Sequence, residues 1–452
     1  MRWIKGEMKK QIFMLLFCAL VGGCSTTYDK KINTLYWPDV PETPRIKWVD
    51  YFRTIEDITL EKSFFSDRSE DLFSKPYGIA VTGDGRRICV TDLDQLVILY
   101  PEEKRYTIVK DDVAWPFGAA FTGSGKLYVT DMTAKEVRVF DESDKFVKAF
   151  GKGVGFSKPS GIAVDEPRNR VYVADAGAHT IHIFTMEGEY VSELGHGKGG
   201  DPGQFGFPSN IAVDDEGTVF VVDSMNFRVQ VFSPEGEFLY LWGELGDTSG
   251  SFARPKGITL DSFGHVLVVD SAFQNVQVFE KTGQLLGWFS GGGNRQGYLQ
   301  LPSTVAADDF GRIYVLQQIF PRVSVFQFLD EEYWDEHPEE KALAEARGHR
   351  FDFSPLTLPE GETPPAATTP SAPATEAPVA EEPVALQEEA PRPASPPGPG
   401  GEANLLIQML EIRFGTLPTE YRERVNSADP QTLQKWGARI LSAQQLEEVF
   451  SE

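Results

Sequence analysis

The sequence predicts an all-β protein: a six-bladed β-propeller with four-stranded blades and a last blade closed by an N-terminal strand. A disordered linker and a small α-helical C-terminal domain are expected to follow. Three observations carry this. A unit recurs six times: KPYGIAVTGDGRRICVTD (75–92), WPFGAAFTGSGKLYVTD (115–131), KPSGIAVDEPRNRVYVAD (158–175), FPSNIAVDDEGTVFVVD (207–223), RPKGITLDSFGHVLVVD (254–270) and LPSTVAADDFGRIYVLQ (301–317). Its opening prolines, Pro76, Pro116, Pro159, Pro208, Pro255 and Pro302, are 40, 43, 49, 47 and 47 residues apart, whereas proline to closing residue is always 16 or 15. Rigid units joined by elastic loops give that pattern, and a repeat of this length is sought before any other fold signal. Each unit also divides into four short apolar runs separated by turns. In the fourth these are SNIAVD, VFVVD, FRVQVF and EFLYLWG. Valine, isoleucine and aromatic residues suit a pleated surface, and glycine at the turns supplies positive φ. One such sheet cannot hide both faces; sheets packed radially around an axis hide them against each other.

From the N-terminus, Met8-Lys9-Lys10 is a short positive region and residues 12–21 are mostly apolar. That run is too short for the ~20 residues of a membrane-spanning helix and fits a secretory signal peptide over residues 1–23. Either Met1 or Met8 is the start. The run ends in Val21-Gly22-Gly23-Cys24-Ser25, which resembles a bacterial lipobox. The resemblance implies lipid on Cys24, and Ser25 then implies the outer membrane. Of the three cysteines, Cys18 leaves with the signal and Cys24 is acylated, so Cys89 stands alone and no disulfide is expected in the mature chain. Cys89 sits in an apolar strand as a small hydrophobe.

Residues 24–44 read as an extended spacer between lipid and disk. Residues 45–55, RIKWVDYFRTI, are strand-like, with alternating Ile46 and Trp48 followed by Tyr51. The sixth unit lacks a fourth strand after residue 328, so this segment is predicted to supply it and to remove two open edges. The propeller then spans residues 45–328. Residues 329–352 turn acidic and helical. Residues 353–401 hold 13 of the 30 prolines and cannot build a core; in a polyproline form their reach is on the order of 140 Å. Residues 402–452 become helical again. One apolar stripe carries Leu406, Met409, Leu410 and Phe414, and another carries Leu433, Trp436 and Ile440; Tyr421 pairs with Val425.

The pattern Pro-x-Gly-Ile-Ala-Val-Asp, then Val-Tyr-Val-Ala-Asp, then Arg-Val-Gln-Val-Phe, then a glycine-rich loop with Gly-Gln-Phe resembles NHL repeats. It covers roughly residues 73–328, with GKGGDPGQFGFPSNIAVDDEGTVFVVDSMNFRVQVF (197–232) as the fullest example. The resemblance implies the propeller fold. It implies little about activity, because the architecture hosts both binders and enzymes. The C-terminal segment, with FGTLP followed by LQKWGARILSAQQLEEVF, resembles a domain of unknown function found on several bacterial proteins, which implies an association module.

Propeller lyases and lactonases that resemble this chain hold zinc or calcium at the channel mouth with histidines or carboxylates. The propeller has four histidines, His179, His182, His196 and His265. His179 and His182, read as i and i+3 on one strand, point to opposite faces, and a three-histidine zinc site needs three loops converging. The aspartates closing strand two, Asp92, Asp131, Asp175, Asp223 and Asp270, are expected to accept hydrogen bonds from turn amides; Gln317 replaces them in the last blade. Asp165, Asp214, Asp261 and Asp308 follow strand one, where a weak calcium site stays open. The glycine-rich loops at 194–205 and 290–300 lack the Lys-Ser/Thr ending of a phosphate cradle and read as connectors between blades.

The net charge of −24, from 67 acidic and 43 basic residues, shows no basic stripe of the kind nucleic acid requires. The expected reading is a lipoprotein of the bacterial cell envelope, outer-membrane anchored and facing the periplasm or the surface. It acts as a non-catalytic scaffold for an envelope protein or peptide, with no cofactor and no metal. The alternative is a metal-dependent lyase- or lactonase-like enzyme on the same fold.

Overall fold

The computed structural model describes residues 35–59, 70–293, 295–353, 418–428, 432, 436, 449 and 450. Cys24, the signal segment and the proline-rich linker lie outside these residues. The chain divides into two compact units, Met1–Ser371 and Ala372–Glu452.

The first unit is a closed wheel of six antiparallel sheets. Blade 3 shows the plan: Pro159–Asp165, Arg170–Asp175, Thr180–Phe184 and Tyr190–Leu194 pair in chain order. The first strand of every blade is innermost. These are Pro76–Val81, Pro116–Phe121, Pro159–Asp165, Pro208–Val213, Pro255–Leu260 and Pro302–Ala307, and the last packs back against the first.

The core is six apolar slabs, each between two blades. Strand Val219–Asp223 shows why every residue of VFVVD is buried. Val219 and Val221 pack towards blade 3 with Tyr172, Ile181 and Phe205, while Phe220 and Val222 pack towards blade 5 with Phe252, Ile258 and Phe279. A two-sided strand of this kind loses the apolar–polar alternation of a half-exposed sheet. At the hub the inner strands approach so closely that side chains have no room. A Cβ on Gly78 would lie 2.1 Å from the Phe117 carbonyl oxygen, which is why Pro-x-Gly opens most repeats.

A ring of side-chain bonds joins each blade to the next. Thr91 Oγ1 donates to Phe117 O at 2.6 Å, Thr130 Oγ1 to Ser160 O at 2.6 Å, and Ser160 Oγ to Pro208 O at 3.2 Å. Ser224 Oγ donates to Pro255 O at 2.6 Å, Ser271 Oγ to Pro302 O, and Gln318 Nε2 to Pro76 O at 3.0 Å. The last of these joins blade 6 to blade 1, so hydrogen bonds as well as apolar packing close the wheel.

Blade 6 is completed by the N-terminal strand Ile46–Phe52, antiparallel to Arg322–Phe328, and a short outer strand Tyr36–Trp37 pairs with it in turn. A register shift between Trp48 and Asp50 marks a bulge at Val49. It restores the apolar side: Ile46, Trp48 and Tyr51 pack towards blade 5, and Phe52 towards blade 1. An unbulged strand would place Asp50 beside Trp48, because facing alternates with a period of two.

Residues 35–44 depart from the expected spacer. Tyr36 is buried, and this stretch is clamped by helices Glu331–Glu336 and Pro338–Ala346. Asp330 caps the first helix by accepting from Tyr333 N at 2.7 Å. Tyr36, Leu329, Trp334 and Ala344 form a buried cluster, and Trp334 Nε1 donates to Pro44 O at 3.3 Å. Glu340 accepts from Lys47 Nζ at 2.9 Å, Tyr36 Oη at 3.0 Å and Tyr333 Oη at 2.7 Å. Arg350 N donates to Pro41 O at 2.8 Å. Composition shows that residues 36–44 are rich in proline; it does not show that a segment some 300 positions later covers them.

In the second unit, helix Thr419–Asn426 carries the buried Val425. The Phe450 ring sits 4.9 Å from Tyr421 and 4.8 Å from Trp436, and Arg424 Nη2 donates to Phe450 O at 3.1 Å. Leu406, Met409, Leu410, Phe414, Leu433 and Ile440 lie outside the described residues.

Candidate functional site

The aspartates closing strand two are fully buried and bonded to backbone amides. Asp131 accepts from Ala114 N at 2.7 Å, Trp115 N at 3.2 Å, Thr133 N at 3.0 Å and Ala134 N at 2.8 Å. Asp175 and Asp270 repeat the arrangement with Ser157, Lys158, Gly177 and Ala178, and with Ala253, Arg254, Ala272 and Phe273. Asp92 holds Ser74 N and Lys75 N; Asp223 holds Gly206 N and Phe207 N and adds the Arg228 guanidinium at 3.1 Å. Gln317 keeps one such bond, from Gln300 N at 2.8 Å. Asp131, Asp175 and Asp270 therefore tie the loop entering strand one to the turn leaving strand two, a structural duty that occupies both carboxylate oxygens. Burial works to raise the Asp175 pKa, but the His182 ring 3.8 Å away and the amides of Lys158, Ser157 and Ala178 hold it down at about 2.

The second set of aspartates is paired with cations. Asp165 lies 3.3 Å from Arg168, Asp214 2.8 Å from Lys281, Asp261 2.8 Å from His265 and Asp308 2.6 Å from Arg312. They lie at the end of the wheel where strand one finishes. The histidines do not converge. His179 is not on a strand at all; it occupies the turn before Thr180–Phe184 with φ 58°. Lys135, Phe227 and Gln274 take the same left-handed conformation between strands two and three, so non-glycine residues serve a position for which glycine is the usual choice. His182 is buried inside blade 3, and His196 belongs to the loop leaving it. Burial opposes protonation of His265, but the hydrogen bond and charge of Asp261 outweigh it and raise its pKa. Among the described residues no three His, Cys, Asp or Glu side chains are grouped to hold a metal ion. Burial pushes the Cys89 thiol far up, so it carries no thiolate.

The chemistry that stands apart lies on the axis. The six inner strands surround a channel of about 760 Å³, within the ~300–1,000 Å³ typical of small-molecule sites. Most of its wall is apolar, from Ile79, Ala119, Ile162, Val213, Leu260 and Val305. Arg254 and Lys256 are the charged residues of the lining, and no carboxylate accompanies them among its described residues. Burial, with the Arg254 charge beside it, pushes the Lys256 pKa down to about 8. The Tyr77 hydroxyl, also in the lining, is buried with no hydrogen-bond partner among the described residues. Asn210 Nδ2 reaches Thr304 Oγ1 at 3.3 Å, across Gly257, the residue of the inner strand between them. None of these lining residues was singled out by sequence reasoning. The signal was present in the residue after each opening proline, which is Tyr77, Phe117, Ser160, Ser209, Lys256 or Ser303; one is charged.

Around the mouth, on the loops that enter strand one and leave strand two, Leu93, Trp115, Met225, Ile319 and Phe320 are exposed, Met225 to 64% and Phe320 to 57%. Lys75 and Lys158 stand on the same rim, over the rings of Tyr77 and Phe207.

The NHL repeat family matches at residues 156–184 and 205–232. NHL repeat-containing protein 3 of Mus musculus is 31% identical over 161 residues, 30% of this chain and 46% of that protein. Protein brain tumor of Drosophila melanogaster is 25% identical over 154 residues, 33% of this chain and 14% of its own length. The chain spans less than half the length of these curated relatives. Among solved structures, a structural genomics protein of unknown function from Bacteroides thetaiotaomicron superposes with a TM-score of 0.49 at 15% identity, covering 63% of this chain and 75% of that one. A streptogramin B lyase superposes with a TM-score of 0.46 at 14% identity, covering 62% and 99%. Two segments of the chain, residues 156–184 and 205–232, therefore match the NHL repeat, and its sheets form a six-bladed propeller.

Proposed function

We propose that this chain is a non-catalytic binding protein of the bacterial cell envelope, anchored to the outer membrane by lipid on Cys24. Its propeller docks an envelope protein or peptide at the rim of the channel mouth, and residues 402–452 form a separate association module on the proline-rich tether. The observation that carries the docking reading is the set of exposed apolar side chains on that rim, Leu93, Trp115, Met225, Ile319 and Phe320. Exposed apolar groups gathered on one surface mark interaction sites, whereas scattered ones do not. The occupied state of both aspartate sets favours binding over catalysis.

Photocrosslinking in whole cells tests the docking face. A crosslinker at Met225 or Phe320 is expected to capture one discrete partner, and a crosslinker at Phe263 or Phe310, on the far end of the wheel, is not. Equal capture from both ends, or none from either, would refute the assignment. Loss of palmitate labelling in Cys24→Ser checks the anchor. Stoichiometric zinc or calcium lost together with an activity would overturn the non-catalytic reading.

A further inference from the structure

We infer that the central channel binds a small organic anion with an apolar body, its acidic group held by Lys256 and Arg254 and its body lying along the aliphatic wall. This goes beyond the rim reading and does not depend on which protein docks there.

Four observations converge. The channel has ligand-sized volume and an apolar wall. Its charged lining is cationic, in a chain whose net charge is −24. Neither Arg254 nor Lys256 has a side-chain ion-pair partner among the described residues, although the cations Arg138, Arg228, Lys281 and Arg312 elsewhere in the propeller are each paired with an aspartate. The Tyr77 hydroxyl is a buried group without a partner at the same mouth. A half-buried ammonium with no counter-ion is an expensive arrangement, and an anion in the channel would relieve it through charge-assisted hydrogen bonds.

Lys256 also predicts the pH dependence. The strands on either side of it bring Ser209, Asn210, Ser303 and Thr304, none of them charged, so Arg254, just before its own strand, is the charged neighbour and Tyr77 the other titratable group of the lining. The free ammonium loses its proton as pH rises through about 8, so the preference for an anion is full below that value and fades above it.

The test is calorimetric titration of the full chain with 4-phenylbutyrate and with its uncharged counterpart 4-phenylbutan-1-ol. The acid is expected to bind saturably at one site, about tenfold or more tighter than the alcohol near neutral pH, as befits a hydrogen bond to a charged group. Lys256→Met should cut the difference severalfold, and Lys256→Met with Arg254→Met should abolish it, while both keep the thermal transition. Lys256→Arg should restore it and remove its decline between about pH 7 and about pH 9.5, because arginine does not titrate there. Equal affinity for acid and alcohol, absence of saturable binding, or a preference undiminished in Lys256→Met would each overturn the proposal.

Discussion

Blades 3 and 6 have the same four-strand core and are built in opposite ways. Blade 3 is one continuous stretch, and each of its strands pairs with the strand before it in the chain. Blade 6 takes three strands from residues 302–328 and its fourth from Ile46–Phe52. The local blade is secured by its turns, with Asp175 holding four amides. The composite blade has Gln317 at the corresponding place, with one amide, and is secured from outside by the clamp of residues 331–353. Where the turn anchor is weakest, a second element has been added. Joining segments this far apart in the chain carries an entropic cost that grows slowly with length, and it covers the edge of Arg322–Phe328 that would otherwise stand open.

The largest expected effect comes from removing the composite strand. Deletion of residues 35–55 opens blade 6 and exposes the edge of Arg322–Phe328, so the protein should aggregate or lose its cooperative melt. A deletion variant that melts like the parent would refute closure by this segment. The two turn anchors sharpen the comparison. Asp175→Ala orphans buried amides and should cost about 3 kcal/mol, whereas Gln317→Ala removes one such bond and the donation to Ser324 Oγ at 2.7 Å and should cost about 2 kcal/mol. Equal losses by urea denaturation would mean that the turns are not the difference between the blades. The depressed Asp175 pKa adds a direction: its stabilisation is complete above the ordinary carboxylate range and is lost as pH falls from about 4 to about 2. The smallest effect concerns the clamp. Burial works to raise the Glu340 pKa, but hydrogen bonds from Lys47 and Tyr333 outweigh it and lower it. Its contribution is therefore present at neutral pH and lost as pH falls below the ordinary glutamate range. Glu340→Gln should cost about 1 kcal/mol at neutral pH and progressively less as pH falls below the ordinary glutamate range; a deficit unchanged by acid would rule out the ionised carboxylate as the clasp.

What the sequence revealed followed from repetition and local chemistry. The prolines from Pro76 to Pro302 counted the blades, the aspartates after strand two marked their turns, and the missing fourth strand after residue 328 pointed back to residues 45–55. What it concealed depended on distant neighbours. The bulge at Val49 answers to the register of Phe326 and Val325. The folded state of residues 35–44 answers to Trp334 and Glu340. The importance of Lys256 lies in what the wheel fails to place beside it, and that is decided by strands from five other blades meeting at the hub. His179 reads as a strand residue because the left-handed position of the turn before Thr180 is filled by His179 itself, with no glycine there to announce it.

The clamp has a mechanical consequence. Pro41 and Arg350 are hydrogen-bonded neighbours, so the polypeptide joins and leaves the disk at one point. A pull between the upstream and downstream segments would be taken up by Tyr36, Trp334, Lys47 and Glu340 before it reached the hub. The disk would hang from a short strap at its circumference, with the other five blades and the pore outside the line of tension.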